Sequence, residues 1–102
     1  MATPESKVKA RAVAHLKAAD VYYFFPATHG YGRSGVPDII CCVAGWFLAI
    51  ECKSGVNKPT ALQVREMQKI GEAGGVAIVV RETNVDALPD LIKRLKENPK
   101  TL

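Results

Sequence analysis

One stretch constrains the fold more than any other, Pro37-Asp38-Ile39-Ile40-Cys41-Cys42-Val43-Ala44-Gly45-Trp46-Phe47-Leu48-Ala49-Ile50-Glu51-Cys52-Lys53. It reads as two apolar strands around a two-residue turn at Ala44-Gly45, the commonest hairpin loop. That loop pairs Val43 with Trp46. The register then runs Cys42 with Phe47, Cys41 with Leu48, Ile40 with Ala49 and Ile39 with Ile50. The next pair is Asp38 with Glu51. Directly opposed residues share a face, with Cβ atoms about 4.5–5.5 Å apart. Lys53, two residues beyond Glu51, falls on that face as well.

Two facing carboxylates repel each other. A fold retains them if one is protonated, if a cation neutralises both, or if Lys53 offsets them. A pair of carboxylate ligands with room for water suits Mg²⁺ or Mn²⁺. The pairing depends on register, because a slip of one residue sends Asp38 to the other face.

Around this hairpin, the 102 residues suffice for one domain spanning 1–102 with a modest core. No apolar run approaches the roughly 20 residues of a membrane span. The first residues, Met1-Ala2-Thr3-Pro4-Glu5, lack the apolar core of a secretory signal. Cys41, Cys42 and Cys52 have no metal-ligand spacing and read as small buried hydrophobes in a reducing cytoplasm. Net charge is +4. Residues 1–58 carry seven basic and four acidic groups, against seven and six in 59–102, so the excess lies with the carboxylate pair. That distribution suits an anionic partner such as nucleic acid.

The chain opens with a helix, Thr3 as N-cap and Pro4 at its first position. Val8, Ala12, Leu16 and Ala19 form its apolar stripe. Glu5 lies on that stripe. It has a structural reading, complementing the helix dipole, and a functional one, a carboxylate aimed at the site. Lys7, Lys9, Arg11 and Lys17 surround the rest of the helix, a solvated face that could meet phosphates. His15 reads as a surface residue.

Val21–Phe25 is a strand of β-branched and aromatic residues, ended by Pro26. Gly30-Tyr31-Gly32-Arg33-Ser34-Gly35 matches the dinucleotide-binding fingerprint, but no helix starts inside it, so that reading is rejected. The segment reads instead as a loop carrying His29, Tyr31 and Arg33 toward phosphates or a base, or as a plain connection.

After Lys53 the chain turns through Ser54–Pro59, including Lys58. A helix follows from Thr60 to Ala73, closed by Gly74-Gly75. Thr60-Ala61-Leu62-Gln63 fits a capping box, so Gln63 has a structural task and also sits where its amide could reach the site. Val64, Met67, Ile70 and Ala73 are the expected buried stripe, with Arg65 and Lys69 on another face. Val76–Val80 is a strand buried on both faces, joined by a right-handed parallel crossover to the Trp46–Lys53 strand. A last helix spans roughly Val85 to Glu97, capped by Asn84 or Thr83, with Leu88, Leu91, Ile92 and Leu95 inward. Pro89 is tolerable there only near the first turn. The order αβββαβα describes an α/β fold with a mixed four-stranded sheet flanked by helices.

Pro37-Asp38, twelve residues, then Glu51-Cys52-Lys53 resembles the signature of the PD-(D/E)XK nuclease superfamily. Glu5, Gly35-Val36-Pro37-Asp38, Ile50-Glu51-Cys52-Lys53, Gln63 and Gly75-Val76 resemble the stand-alone, phage-type VRR-NUC (virus-type replication-repair nuclease) domain, over about residues 3 to 95. The resemblance implies a restriction-endonuclease-like core and an Mg²⁺- or Mn²⁺-dependent endodeoxyribonuclease. Asp38, Glu51 and the backbone carbonyl of Cys52 would bind the metal, with Glu5 reaching it directly or through water. Lys53 would position the attacking water, and Gln63 would orient Lys53 or that water. It further implies a homodimer acting on branched DNA such as four-way (Holliday) junctions, in the cytoplasm of a bacterium or phage-infected cell. Lys7, Arg11, His29, Tyr31, Arg33, Lys58 and Arg65 are the candidate DNA contacts. Two other readings stay open. One is a nucleic-acid-binding module with this fold and no catalysis of its own. The other is a small α/β domain whose Asp38–Lys53–Glu51 cluster is a salt-bridged strand end.

Overall fold

The computed structural model describes residues 2–27 and 34–101. The element order is α1 (Pro4–Ala18), β1 (Tyr22–Phe24), β2 (Ile39–Val43), β3 (Trp46–Cys52), α2 (Ala61–Glu72), β4 (Val76–Val80), a 3-10 turn (Val85–Ala87) and α3 (Leu88–Glu97). The sheet has the order β1-β2-β3-β4. β1 and β3 each pair antiparallel to β2, and β4 pairs parallel to β3. The expected α/β architecture and the parallel pairing of β4 with β3 are both present.

The hairpin register runs from Val43 opposite Trp46 to Ile39 opposite Ile50, as expected. Ala44 (φ 51°) and Gly45 (φ 86°) both lie in the left-handed region, which makes a type I′ turn. Period two then separates the sheet's faces. Ile39, Cys41, Val43, Leu48, Ile50 and Cys52 meet Val8, Ala12 and Leu16 of α1 and Ile92 and Leu95 of α3 in the core. Burying each large aliphatic there contributes about 1.5–3 kcal/mol. Asp38 and Glu51 belong to the other face, the one that α2 covers.

α1 is capped as expected: Thr3 Oγ1 accepts from the Ser6 N–H at 3.1 Å, and Pro4 begins the helix. Val8, Ala12 and Leu16 are buried. At its far end Lys96 Nζ donates to the Ala19 carbonyl at 2.7 Å, so one α3 lysine serves α1 rather than only its own helix dipole. The last helix departs from expectation. Its first turn is a separate 3-10 segment, and α3 starts at Leu88, which places Pro89 in the first turn where its missing N–H costs nothing. Asn84 makes no side-chain cap of that segment. Its Oδ1 accepts from Arg81 N and its Nδ2 donates to the Val79 carbonyl.

The α2 stripe also needs correction. Val64 (40% exposed) and Ala73 face outward, Met67 and Ile70 are half-buried, and Glu66 is the buried residue of the helix. Close backbone approaches set this rotation. A Cβ on Gly35 would lie 2.6 Å from the Leu62 carbonyl and 2.8 Å from Gln63 N, and one on Gly75 would lie 2.9 Å from the Ile70 side chain. The α2 helix therefore covers only part of its face. Tyr22, Phe24 and Phe47 remain exposed there, as does Cys42, which is not a buried hydrophobe. Among the described residues no helix is long and apolar enough to cross a membrane.

Candidate active site

The strand ends gather the acids. β3 runs out through Glu51 and Cys52, and the chain enters β2 through Asp38 alongside it. Asp38 Oδ2 accepts the Cys52 N–H at 2.9 Å, a bond that stitches the start of β2 to the end of β3 one step beyond the ladder. Gly35, in the left-handed region at φ 79°, itself lies against the first turn of α2, and this close approach sets the course of Val36 and Pro37 into Asp38.

Glu51 is 1% exposed. Among the described buried side-chain nitrogens and oxygens, its Oε2 is the one with no hydrogen-bond partner. Such an atom is costly unless something supplies a partner. Burial pushes the Glu51 carboxyl up to about 8, helped by hydrogen bonding with Asp38 and by the negative charges of Asp38 and Glu5, while Lys53 pulls the other way. Asp38, Lys53 and Glu5 all therefore act on one buried carboxylate. The shift has the sign of a site short of positive charge.

These residues fit a hard divalent cation. Mg²⁺ is commonly held by one or two carboxylates with several waters retained. Asp38 and Glu51 supply two, and the orphaned Oε2 supplies an acceptor in need of a cation. Among the described residues no group of three His, Cys, Asp or Glu side chains stands close enough to hold a metal ion, so Glu5 acts on Glu51 through charge at longer range. Cys41 and Cys52 side chains are buried thiols pushed up to about 12 by desolvation, which suits packing and not chemistry.

Gln63 completes the capping box: its Oε1 accepts the Thr60 N–H at 2.8 Å, and Thr60 Oγ1 accepts the Gln63 N–H at 3.2 Å. Its oxygen is thus already engaged in starting α2. Arg11 forms an ion pair with Asp86, which also bonds His15 Nε2 at 2.9 Å. These contacts tie α1 to the 3-10 turn, so Arg11 has a structural partner and His15 is not a free surface side chain. Lys7 and Lys58 are exposed. Arg65 lines a shallow hollow with Ser34, Leu62 and Lys69. His29, Tyr31 and Arg33 lie outside the described residues.

Sequence reading missed the frame beyond Lys53. Arg81 donates to the carbonyls of Gly55 and Asn57, and the Glu82 carboxylate accepts the Gly55 N–H at 2.9 Å. Together they fix the loop that leaves the site for α2. An Arg-Glu pair directly after β4 was the visible signal.

No family model matches the chain, and no curated protein matches it. Among solved structures it is similar to a "VRR_NUC domain protein", at 17% identity and a TM-score of 0.71, over 98% of this chain and 93% of that one. The backbone that carries Asp38, Glu51 and Lys53 has the VRR-NUC fold.

Proposed function

We propose that this chain is a metal-dependent endodeoxyribonuclease that hydrolyses phosphodiester bonds in branched DNA. The buried, partnerless Oε2 of Glu51 beside Asp38 is the observation that carries the reading. The nuclease-type fold supports it.

Asp38, Glu51 and the Cys52 carbonyl would hold Mg²⁺ or Mn²⁺, with Glu5 contributing through water. When bound, the ion supplies Lewis-acid stabilisation of phosphate charge and a more acidic water. Lys53 places a compact cation beside the same phosphate and orients the attacking water. Gln63 steadies this end through the cap of α2. Lys7, Lys58 and Arg65 are exposed cations for flanking phosphates. A homodimer would present two such sites to the two symmetric strands of a four-way junction. Exposed Tyr22, Phe24 and Phe47 offer apolar surface for that association.

The test is incubation of the protein with labelled linear, flap and four-way DNAs in Mn²⁺ and in EDTA. Cutting in Mn²⁺ only, greatest on the four-way substrate, is the expected outcome. Asp38→Asn and Lys53→Ala should each abolish it while retaining a cooperative thermal transition. Undiminished cutting by either variant overturns the reading. Salt-sensitive DNA binding with no cleavage in either metal would favour the binding-module alternative instead.

A further inference from the structure

A groove of about 450 Å³ runs along one flank of α1. It is lined by Ser6, Lys9, Val13, Lys17 and Phe25 together with two alanines, and among the described residues no acid lines it. Phe25 is 48% exposed. Its ring tilts against Tyr23 at 5.9 Å, which holds it in place, and Lys9 Nζ sits 4.3 Å from its centroid.

Phe25 follows the last ladder pair, Phe24 with Ile40, and by the period of two shares the face of Tyr23, the side of the sheet that α1 packs on. Ser6 follows Glu5 in the first turn of α1. A lone exposed Phe needs no explanation. A half-exposed ring in a concave strip with two lysines and no acid is a different matter, because it combines a flat π face with cations. Unpaired nucleotides carry the complement of both, a base face and phosphates. A duplex keeps its base faces stacked inside and would leave the ring unused.

We propose that this groove holds an unpaired stretch of the substrate strand, one base stacked on Phe25 and the neighbouring phosphates on Lys9 and Lys17. The identity of the ligand as DNA rests on the nuclease reading. Base stacking on an aromatic ring outweighs an exposed cation–π contact. The base therefore takes the place of the Lys9 ammonium, which turns to the adjoining phosphate.

Fluorescence anisotropy in EDTA, with a labelled oligo(dT) and a duplex of equal length, tests this without catalysis. Phe25→Leu keeps apolar volume but removes the ring, and should weaken oligo(dT) binding roughly 5- to 100-fold. Phe25→Trp should restore it. Lys17→Gln should flatten the dependence of log K on log salt by about 0.7. Circular dichroism melts establish that each variant folds. If wild type cuts DNA in Mn²⁺ while Phe25→Leu and Lys17→Gln bind oligo(dT) as wild type does, the groove is overturned and the nuclease reading stands. Loss of oligo(dT) binding in Phe25→Leu, with a wild type that cuts nothing, upholds the groove and overturns the nuclease reading. A wild type that fails to bind oligo(dT) overturns the groove outright.

Discussion

At the scale of single residues, Glu51 carries the most chemistry because its surroundings oppose its charge. Its carboxyl lies near 8 in the folded chain against an ordinary value of 4.5. A raised folded value means that the native state holds its proton longer than the unfolded chain does. The associated stability is fully present below about pH 4.5 and is lost as pH rises toward 8. Replacing Glu51 with Gln removes the cost of that buried charge, so Glu51→Gln should be more stable than wild type at pH 8 in EDTA, on the order of 3 kcal/mol. The two should converge near pH 5. Denaturant melts at both values read this directly, and equal stability at pH 8 would count against a buried, uncompensated Glu51. Gly35 shows the complementary case, a residue needed for what it lacks. Its φ of 79° and a Cβ 2.6 Å from the Leu62 backbone leave no room for a side chain. Gly35→Ala should destabilise by about 2 kcal/mol or more and lower cleavage beyond the loss of folded protein, since the same segment aims Asp38. A melt paired with an active-fraction-corrected rate checks both parts.

At the scale of elements, the hairpin shows what a local pattern can decide. Its turn is type I′ with Ala44 at φ 51°, a region where alanine is strained and asparagine is tolerated. Ala44→Asn should therefore stabilise the protein by about 1 kcal/mol, seen as a higher denaturant midpoint with an unchanged slope. The same hairpin was legible in the chain because two apolar runs flank a two-residue turn, and that turn alone fixes one register. The caps at Thr3 and Thr60 were legible for a similar reason, since each is a bond between residues three apart. The α2 stripe was not. Val64 and Ala73 have the spacing of a buried face, yet tight passage of Gly35 and Gly75 turns Glu66 inward instead. Hydrophobic periodicity cannot register a contact between backbones distant in sequence. Asp38, Glu51 and Lys53 were found because they follow from the hairpin register. The Arg81–Glu82 frame, the Arg11–Asp86 pair and the Phe25 groove each join residues from separate elements, which no window of sequence brings together.

At the scale of the whole molecule, charge is arranged so that buried and exposed carboxylates respond to pH in opposite directions. Asp86 lies below its ordinary range, first through its bond to His15 and then through Arg11, and Glu82 lies below its own through backbone N–H groups including that of Gly55. A lowered carboxylate stabilises the fold above its unfolded value, and that stability is lost as pH falls through the folded value. Both groups are exposed, so each contribution is small. Glu51 acts with the reverse sign and from a buried position. Acid then loosens the ties from α1 to the 3-10 turn and from β4 to the loop after Lys53, while base charges the site. The ion-free protein should accordingly be most stable on the acid side of neutrality, near pH 5, and lose stability steadily toward pH 8. A divalent ion at the acids answers only the second loss. Adding Mg²⁺ or Mn²⁺ should raise the thermal midpoint at pH 8 and leave it nearly unchanged at pH 5, because protons compete for the same carboxylates. The metal-dependent shift should vanish in Asp38→Asn and in Glu51→Gln but persist in Asp86→Asn. An equal shift at both pH values, or one that survives in Asp38→Asn, would place the ion elsewhere on the molecule.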